Sequence, residues 1–373
     1  MSEVLFPRTF PWREGNSIDF LIDGEQFFPS MLKAISEAQQ FVLMEMYLFE
    51  SGKVADKFIT AFVNAVQRGL VVQLLIDGFG GKGLSQLNRD EMINAGVQLV
   101  FFNPLMFEKL KNNLHRTHRK YLIVDDAVVF VGGAGITDNF EGSNAWRETV
   151  VKAQGRVAVD WHELFIDNFQ RWSKNTVPEI VNSPPINNTI QARLTYTSGG
   201  KTLEIKRNIL NRINNSRKSI WFASAYFIPS RKIRKALRRA ALKGKDVRLL
   251  LPGPVIDHPS IRYASRRYYA RLLRYGVRIF EYQGRFTHTK MVLIDDWFTI
   301  GSANVDRWNF RWNLEANLEV MDVKSAKQSR QIMLDDFSDC KEIHYKIWVN
   351  RSKLQRAKEW LWGKVDIWLT KYM

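Results

Sequence analysis

Two stretches of this chain carry the same three side chains at the same spacing. The first sets His118, Lys120 and Asp125 in HRKYLIVDDAVVFVGGAG, and the second sets His288, Lys290 and Asp295 in HTKMVLIDDWFTIGSAN. A single H-x-K-x4-D match is weak evidence, because fixed patterns of common residues arise by chance. Two matches, each ahead of a Gly-rich turn, demand a chemical reading. In an extended strand residues i and i+2 face the same side, so each His projects together with its Lys. Two such strand ends meeting would gather two imidazoles and two ammonium groups around one point, which is a site for an anion. Near neutral pH a neutral imidazole is a competent nucleophile and a protonated one a competent acid. The lysines can offset charge that grows on the non-bridging oxygens of a phosphate, the part a metal ion plays elsewhere. No carboxylate cluster at metal-binding spacing is visible, so neither a metal nor another cofactor is expected.

The elements that must carry these residues are themselves repeated. A helix pattern over 27–40 and an apolar strand over 41–49 reappear over 203–216 and 220–228, with Tyr47 and Tyr226 at matching places. Glycines that stop helices, Gly69 and Gly96, precede strands 70–77 and 97–102; Gly244 and Gly276 precede strands 247–251 and 277–282. Each half then delivers its motif and an apolar strand, 121–124 or 291–294. The offsets between matched points are 179, 175, 180 and 170 residues, unequal as a duplication with loop insertions requires. Strand–helix alternation predicts an α/β chain of two similar α-β-α layered domains with mixed sheets. A pseudo-twofold relates them and puts the active site at their interface. The expected division is 1–172 for the first repeat, 173–190 for a Pro- and Asn-rich linker, 191–340 for the second repeat and 341–373 for a C-terminal helix.

Bulk properties narrow the partners. The net charge is +17, unevenly placed: residues 191–373 hold 37 Lys and Arg against 16 Asp and Glu, a net +21, and the first 190 hold 18 against 22, a net −4. A basic second half points to an anionic partner, lipid headgroups or nucleic acid. The one cysteine, Cys340, cannot form an internal disulfide, which suits a reducing compartment. No apolar run is long enough for a transmembrane helix, and residues 1–16 lack the apolar core of a signal peptide.

With these residues in view, the duplicated motif resembles the phospholipase D superfamily over nearly the whole chain. Trp12-Arg13-Glu14-Gly15-Asn16, Asp23-Gly24-Glu25-Gln26, Ala225-Tyr226-Phe227-Ile228-Pro229 and the segment 263–282 look like bacterial cardiolipin synthases of the short form without transmembrane helices. The resemblance implies transfer of a phosphatidyl group from one phosphatidylglycerol to the hydroxyl of another, with release of glycerol, through a phosphohistidine. It makes His118 the nucleophile and His288 the acid, or the reverse. Glu148 and Glu315 match the carboxylates that the superfamily places behind the histidines, where they would fix the imidazole tautomer and stabilise its cation. Asp125 and Asp295 belong to the same motif set, with loop anchoring as their expected task. A Gly-Ser-x-Asn element follows the second motif as Gly301, Ser302 and Asn304. Its first-half counterpart reads Gly132, Gly133, Ala134, Gly135, so glycine replaces the amide that could meet a phosphate. Ser302, Asn304 and Gly133 are the residues expected on substrate. The implied partners are anionic phospholipids (phosphatidylglycerol and cardiolipin) and the cytoplasmic face of a bacterial inner membrane; nucleic acid is not expected.

The C-terminus bears on the same question. Leu354, Ala357, Leu361, Val365 and Trp368 recur at helical spacing, with Lys353, Arg356, Lys364 and Lys371 mainly off that stripe. Trp360, Trp362 and Trp368 are suited to a membrane interface; docking on the protein's own core accounts for the pattern equally well. The competing functions are a hydrolase or nuclease of the same superfamily and a catalytically silent lipid-binding protein.

Overall fold

The computed structural model describes residues 9–105, 112–181, 186–199 and 202–372. The first half runs β1 (Asn16–Ile22), α1 (Asp23–Glu37), β2 (Phe41–Met46), α2 (Lys53–Gln67), β3 (Val71–Asp77), α3 (Gln86–Asn94), β4 (Gln98–Phe102), β5 (Lys120–Val124), β6 (Val128–Gly132), β7 (Thr149–Gly155) and α4 (Val157–Phe169). The second runs β8 (Gln191–Ser198), α5 (Glu204–Asn215), β9 (Ser219–Ala223), β10 (Phe227–Ile228), α6 (Arg231–Leu242), β11 (Asp246–Pro252), α7 (Pro259–Arg266), α8 (Tyr269–Arg274), β12 (Arg278–Tyr282), β13 (Met291–Ile294), β14 (Trp297–Gly301), β15 (Val305–Asp306), α9 (Arg307–Trp312), β16 (Leu314–Met321) and α10 (Val323–Ser338). After it come β17 (Cys340–Ile343), α11 (Tyr345–Val349) and α12 (Lys353–Tyr372).

The two sheets share one topology. Strand order is β1-β7-β6-β5-β2-β3-β4 in the first and β8-β16-β14-β13-β9-β11-β12-β17 in the second. Strand for strand the orders coincide, and the second sheet adds β17 antiparallel to β12. That edge strand starts at Cys340 and runs on to Ile343, so the second unit passes the expected boundary, and α12 fills only part of the segment read as one helix. Both sheets are mixed: β2-β3-β4 are parallel, as are β9-β11-β12, and the motif strands β5 and β13 run antiparallel to their neighbours.

The outer helices form because their apolar residues recur every three or four positions. α2 buries Val54, Ala55, Phe58, Ile59, Phe62 and Ala65, and α6 buries Ile233, Ala236, Leu237 and Ala240. Each stops at a glycine with positive φ, Gly69 at 89° and Gly244 at 78°, a conformation an L side chain resists. Three apolar layers result. Two lie between a sheet and its outer helices. The third is shared: Val131, Val151 and Ala153 of the first sheet meet Phe298, Ile300 and Leu318 of the second, flanked by α4 and α10. Burying such side chains contributes about 1.5–3 kcal/mol each, so the halves are fastened to each other by core. The described part of the linker packs here too, with Val177 and Val181 against the shared layer and the Val181 amide on Asp126. Pro184 and Pro185 lie outside the described residues.

Asp125 and Asp295 sit in the turns after β5 and β13, at the strand ends away from the histidines. Each holds φ of +53°, which Asp tolerates better than most residues. Asp125 accepts the amides of Gln39, Gln40 and Phe41 at 2.7, 2.9 and 2.8 Å. Asp295 accepts those of Arg217, Lys218 and Ser219 at 2.6, 2.9 and 3.0 Å. Each thus ties its hairpin to the entry of the neighbouring strand. Burial alone raises the Asp295 carboxyl, but the three amides together outweigh it, and its pKa lies below the usual value. A depressed folded pKa adds stability above the unfolded value and loses it as pH falls through the folded one. Asp295→Ala should lower stability by about 2 kcal/mol, a fall in melting temperature of about 2–3 °C for a chain of this length, with Asp125→Ala similar by calorimetry at pH 7. An unchanged melting temperature for both would remove them as anchors.

Candidate active site

The site begins as a backbone arrangement. Ahead of β5, Thr117 pairs in parallel with Leu314, and ahead of β13, Thr287 pairs in parallel with Arg147. These are equivalent contacts with the halves exchanged. The His118 amide donates to Leu314 O at 2.9 Å, and the His288 amide to Arg147 O at 2.7 Å. The return bonds are just as reciprocal: Leu314 N to Arg116 O at 2.9 Å, and Arg147 N to Phe286 O at 2.8 Å. Buried polar groups hold the approach in place. Glu45, the charged residue inside the apolar 41–49 run, accepts from Tyr121 and Asn168 at 2.6 Å each and from Thr117. Asp77 accepts the Thr117 amide at 3.0 Å.

This pairing crosses the carboxylates. His118 Nδ1 lies 2.9 and 3.1 Å from the two oxygens of Glu315, and His288 Nδ1 lies 2.8 Å from Glu148 Oε2. Each imidazole is therefore held by the carboxylate of the opposite half, a swap invisible in the linear motifs. With Nδ1 occupied, each ring has Nε2 for the cavity, the tautomer logic of a carboxylate behind a catalytic histidine. Lys120 Nζ donates to His118 O at 2.7 Å. Lys290 Nζ donates to His288 O at 2.5 Å and lies 3.0–3.1 Å from both nitrogens of that ring.

Burial dominates the electrostatics. It pushes the Lys120 ammonium down to about 7 and that of Lys290 to about 8, against the pull of Glu315 and Glu148. It raises the Glu148 carboxyl to about 7 despite Lys290. Both imidazoles fall below their ordinary value, His288 further: beyond burial, Lys290, Lys120 and His118 all oppose its cation, whereas Glu315 favours that of His118. Groups balanced this close to neutrality are what acid–base chemistry at pH 7 requires.

Both motifs open on one cavity of about 620 Å³, lined by His118, Lys120 and His288 with Tyr47, Gly133, Phe140, Trp146 and Tyr226. Tyr47 packs edge-on to His118 at 4.8 Å between ring centres, and Trp146 lies against His288 at 5.3 Å. The matched Tyr47 and Tyr226 thus stand where the regular part of each 41–49 and 220–228 run has ended. Tyr226 donates to Asp257, and Asp257 and His258 form part of the wall.

The Gly-Ser-x-Asn element lies differently from expectation. Ser302 does not face the cavity: its buried hydroxyl donates to Glu315 Oε2 at 2.5 Å and accepts the Ala316 amide at 3.1 Å, so it orients the carboxylate. Asn304 is buried with its oxygen 3.3 Å from the Tyr226 amide, again as a brace. Gly133 does line the cavity, and a Cβ there would stand 2.2 Å from Glu148 Oε2. At Gly135 a Cβ would stand 2.8 Å from Leu48, so the first half has no room for the missing amide. Sequence reasoning also passed over Asp23, Arg147 and Asp336. Arg147 grips Asp336 at 2.7 and 3.0 Å, and Asp23 accepts the Glu148 amide at 3.0 Å, fixing the strand that presents Glu148. Their signal was present in Asp23-Gly24: a Cβ on Gly24 would collide with Phe140 O.

Helix α12 edges the same cavity through Trp362 and Val365. Its docked face is polar: Glu359, 1% exposed, bonds Arg351 and lies near Arg266, and Arg267 donates to Gly363 O. The apolar stripe faces out, with Leu354 67%, Trp360 61% and Leu361 54% exposed. The Trp368 side chain lies outside the described residues. Among the described residues no helix is long and apolar enough to cross a membrane.

The family profile "Cardiolipin synthase, PLD-like domain" matches residues 31–172 and 209–337, once in each half. Cardiolipin synthase B of Salmonella typhimurium is 32% identical over 347 residues, covering 89% of this chain and 83% of that protein. Cardiolipin synthase 2 of Bacillus cereus is 33% identical over 335 residues, 87% of this chain and 65% of that one. Among solved structures, phosphatidylserine synthase of Haemophilus influenzae superposes with a TM-score of 0.73 at 14% identity over 95% of this chain and 94% of that one. Polyphosphate kinase of Porphyromonas gingivalis superposes with a TM-score of 0.61 at 14% identity, over 94% and 53%. These two show the fold alone. Twofold repetition, paired motifs and identity along most of the chain place this protein in the phospholipase D-like family of cardiolipin synthases, the phosphatidyltransferases of that superfamily.

Proposed function

We propose that the protein forms cardiolipin from two molecules of phosphatidylglycerol and releases glycerol, through a phosphohistidine, at the cytoplasmic face of a membrane. The observation that carries this reading is the pair of imidazoles, each backed by a carboxylate, opening on one cavity that Lys120 also lines, with Lys290 buried against the His288 ring. In the first half-reaction His118 Nε2 attacks phosphorus, and the bond from phosphorus to the glycerol oxygen breaks. Attack leaves the His118 ring cationic, and Glu315, with both oxygens at Nδ1 and steadied by Ser302, stabilises that charge. Glu148 and His288 share one proton: the raised carboxyl donates to Nδ1, so His288 Nε2 carries hydrogen toward the leaving glycerol oxygen. In the second half-reaction the hydroxyl of another phosphatidylglycerol loses its proton to His288 and attacks phosphorus, and the bond to His118 breaks. Lys120 and Lys290 offset charge on the non-bridging oxygens, and the bound anion favours their charged forms. The outward stripe of α12 supports attachment at an acidic membrane surface, where its apolar groups meet lipid and Lys353, Arg356 and Lys364 meet headgroups.

Purified protein with phosphatidylglycerol vesicles and a chelator should yield cardiolipin and glycerol in equal amounts by mass spectrometry. Phosphatidic acid alone would mean hydrolysis, and oligonucleotide cleavage without lipid products would favour the nuclease. His118→Ala and His288→Ala should each lower kcat by at least about 10²-fold; retention of activity in either would remove the two-imidazole mechanism.

The pH dependence follows from the shifts. Below their lowered pKa values the imidazoles take protons, and His118 loses its lone pair, so kcat/KM falls on the acid side. As pH rises through about 7 the Glu148–His288 pair loses its proton and Lys120 its charge, so kcat/KM falls again. The profile for kcat should have its alkaline limb displaced upward, since bound phosphate stabilises the lysine cations. An alkaline limb in kcat/KM at the ordinary lysine value would contradict this assignment.

A further inference from the structure

Outside the catalytic centre the molecule has a second concave space, about 560 Å³, between α6 and the α7–α8 pair, and none of its lining residues lines the catalytic cavity. Arg231, Arg234, Lys235 and Arg238 enter it from one face of α6 at helical spacing, and Arg267 and Arg271 enter from the opposite wall. The guanidinium of Arg234 stacks on the Tyr268 ring at 4.2 Å and that of Arg267 on the same ring at 5.3 Å, which fixes both planes. Their protein acceptors are uncharged: Arg234 donates to Pro229 O and bonds the Tyr268 side chain, Arg238 donates to Arg234 O and Arg267 to Gly363 O. Among the described residues none of the six cations is ion-paired with a carboxylate. Elsewhere arginines pair readily, as Arg147 with Asp336, Arg193 with Glu319 and Arg278 with Glu342. Burial lowers the pKa of Arg234, and neighbouring Arg307 and Arg267 lower it further against the opposing pull of Tyr268. Six like charges crowded into one hollow, some half-buried, repel one another until an anion enters.

We propose that this hollow is a second, non-catalytic site that takes the phosphate of an acidic lipid headgroup. Planar guanidinium groups fixed on a ring, with further N–H donors, match the oxygens of a phosphate ester. The surroundings fit a lipid-borne phosphate. Arg267 reaches α12, whose Leu354, Trp360 and Leu361 are exposed, and Leu242 at the end of α6 is 66% exposed. Cations at headgroup level with apolar side chains beside them are the pattern of an interfacial surface. The phosphate chemistry stands on the hollow alone, and the lipid source rests on the function proposed above.

The test is calorimetric titration of the His288→Ala protein, which does not turn over, with dihexanoyl-phosphatidylglycerol below its micelle concentration. Inorganic phosphate is titrated separately. Arg234→Gln/Arg238→Gln/Arg271→Gln should bind one lipid fewer per chain, or bind it at least about tenfold more weakly, with an unchanged melting temperature. Arg238→Gln alone, the gentler variant, should show a smaller loss in the same direction. The control Lys324→Gln/Lys327→Gln/Lys341→Gln removes three cations elsewhere and should bind like its parent. Equal losses in the two triple variants would show bulk attraction and overturn the proposal, as would unchanged binding in the arginine variants. Inorganic phosphate filling the arginine-dependent site as tightly as the lipid would overturn the lipid assignment. On the otherwise native chain the arginine variants should keep full transfer with the soluble substrate. Absence of any cardiolipin from the native enzyme, with the arginine-dependent site intact, would count against the proposed reaction and not against this site.

Discussion

The active site depends on one reciprocal contact: the strand leading to each histidine hydrogen-bonds to the strand that carries the other half's carboxylate. Because the bonds are between backbones, they set the position of the imidazoles before any side chain chooses a rotamer. Because the contact is made twice with the halves exchanged, it delivers two equivalent His–Glu pairs to one cavity. Neither half contains a complete pair. The shared apolar layer between the sheets removes the need for a long tether, since separating the halves would expose Phe298, Ile300, Leu318 and their partners. The same burial dries the site, so Lys120, Lys290 and Glu148 are drawn toward neutrality and respond strongly to an incoming anion.

The repeat is symmetric in topology and unequal in detail, and the inequality separates the roles. Ser302 fastens Glu315, while its counterpart Gly133 leaves Glu148 to take the Thr149 amide at 2.9 Å. Lys290 lies beside its ring nitrogens, whereas Lys120 reaches only the backbone of its histidine. A pair whose carboxylate is oriented by a hydroxyl suits a ring that becomes cationic on attack. A pair whose carboxyl is raised toward neutral pH suits proton delivery.

Much of this was legible in the residues. The helix stops at Gly69 and Gly244, the apolar strands and the doubled motif follow from periodicity, from glycine's access to positive φ and from the alternation of strand faces. Trp12-Arg13-Glu14-Gly15-Asn16 was visible as a family feature, and its work is structural: Arg13 bonds Asp160 at 2.9 Å, and Asn16 bonds Arg13 O and Ile190 O. The exchange of carboxylates was not legible, because no local pattern records which strand of a distant half will pair with which. The inward turn of Ser302 escaped for a related reason: a serine beside a phosphate and a serine beneath a carboxylate look alike in one dimension. The face by which α12 docks was not legible, because its apolar stripe suits a membrane interface and a protein core alike. The buried contact is made by Glu359 and Gly363, a charge and a gap that periodicity counts as solvent-facing.

The crossing can be observed without turnover. The chain has six histidines, so selective ¹⁵N labelling yields a resolvable set of imidazole resonances. Glu315→Gln should perturb the Nδ1 signal of His118 and leave that of His288 in place, and Glu148→Gln should do the opposite. Each glutamate perturbing the histidine of its own half would contradict the arrangement on which the rest of this account stands.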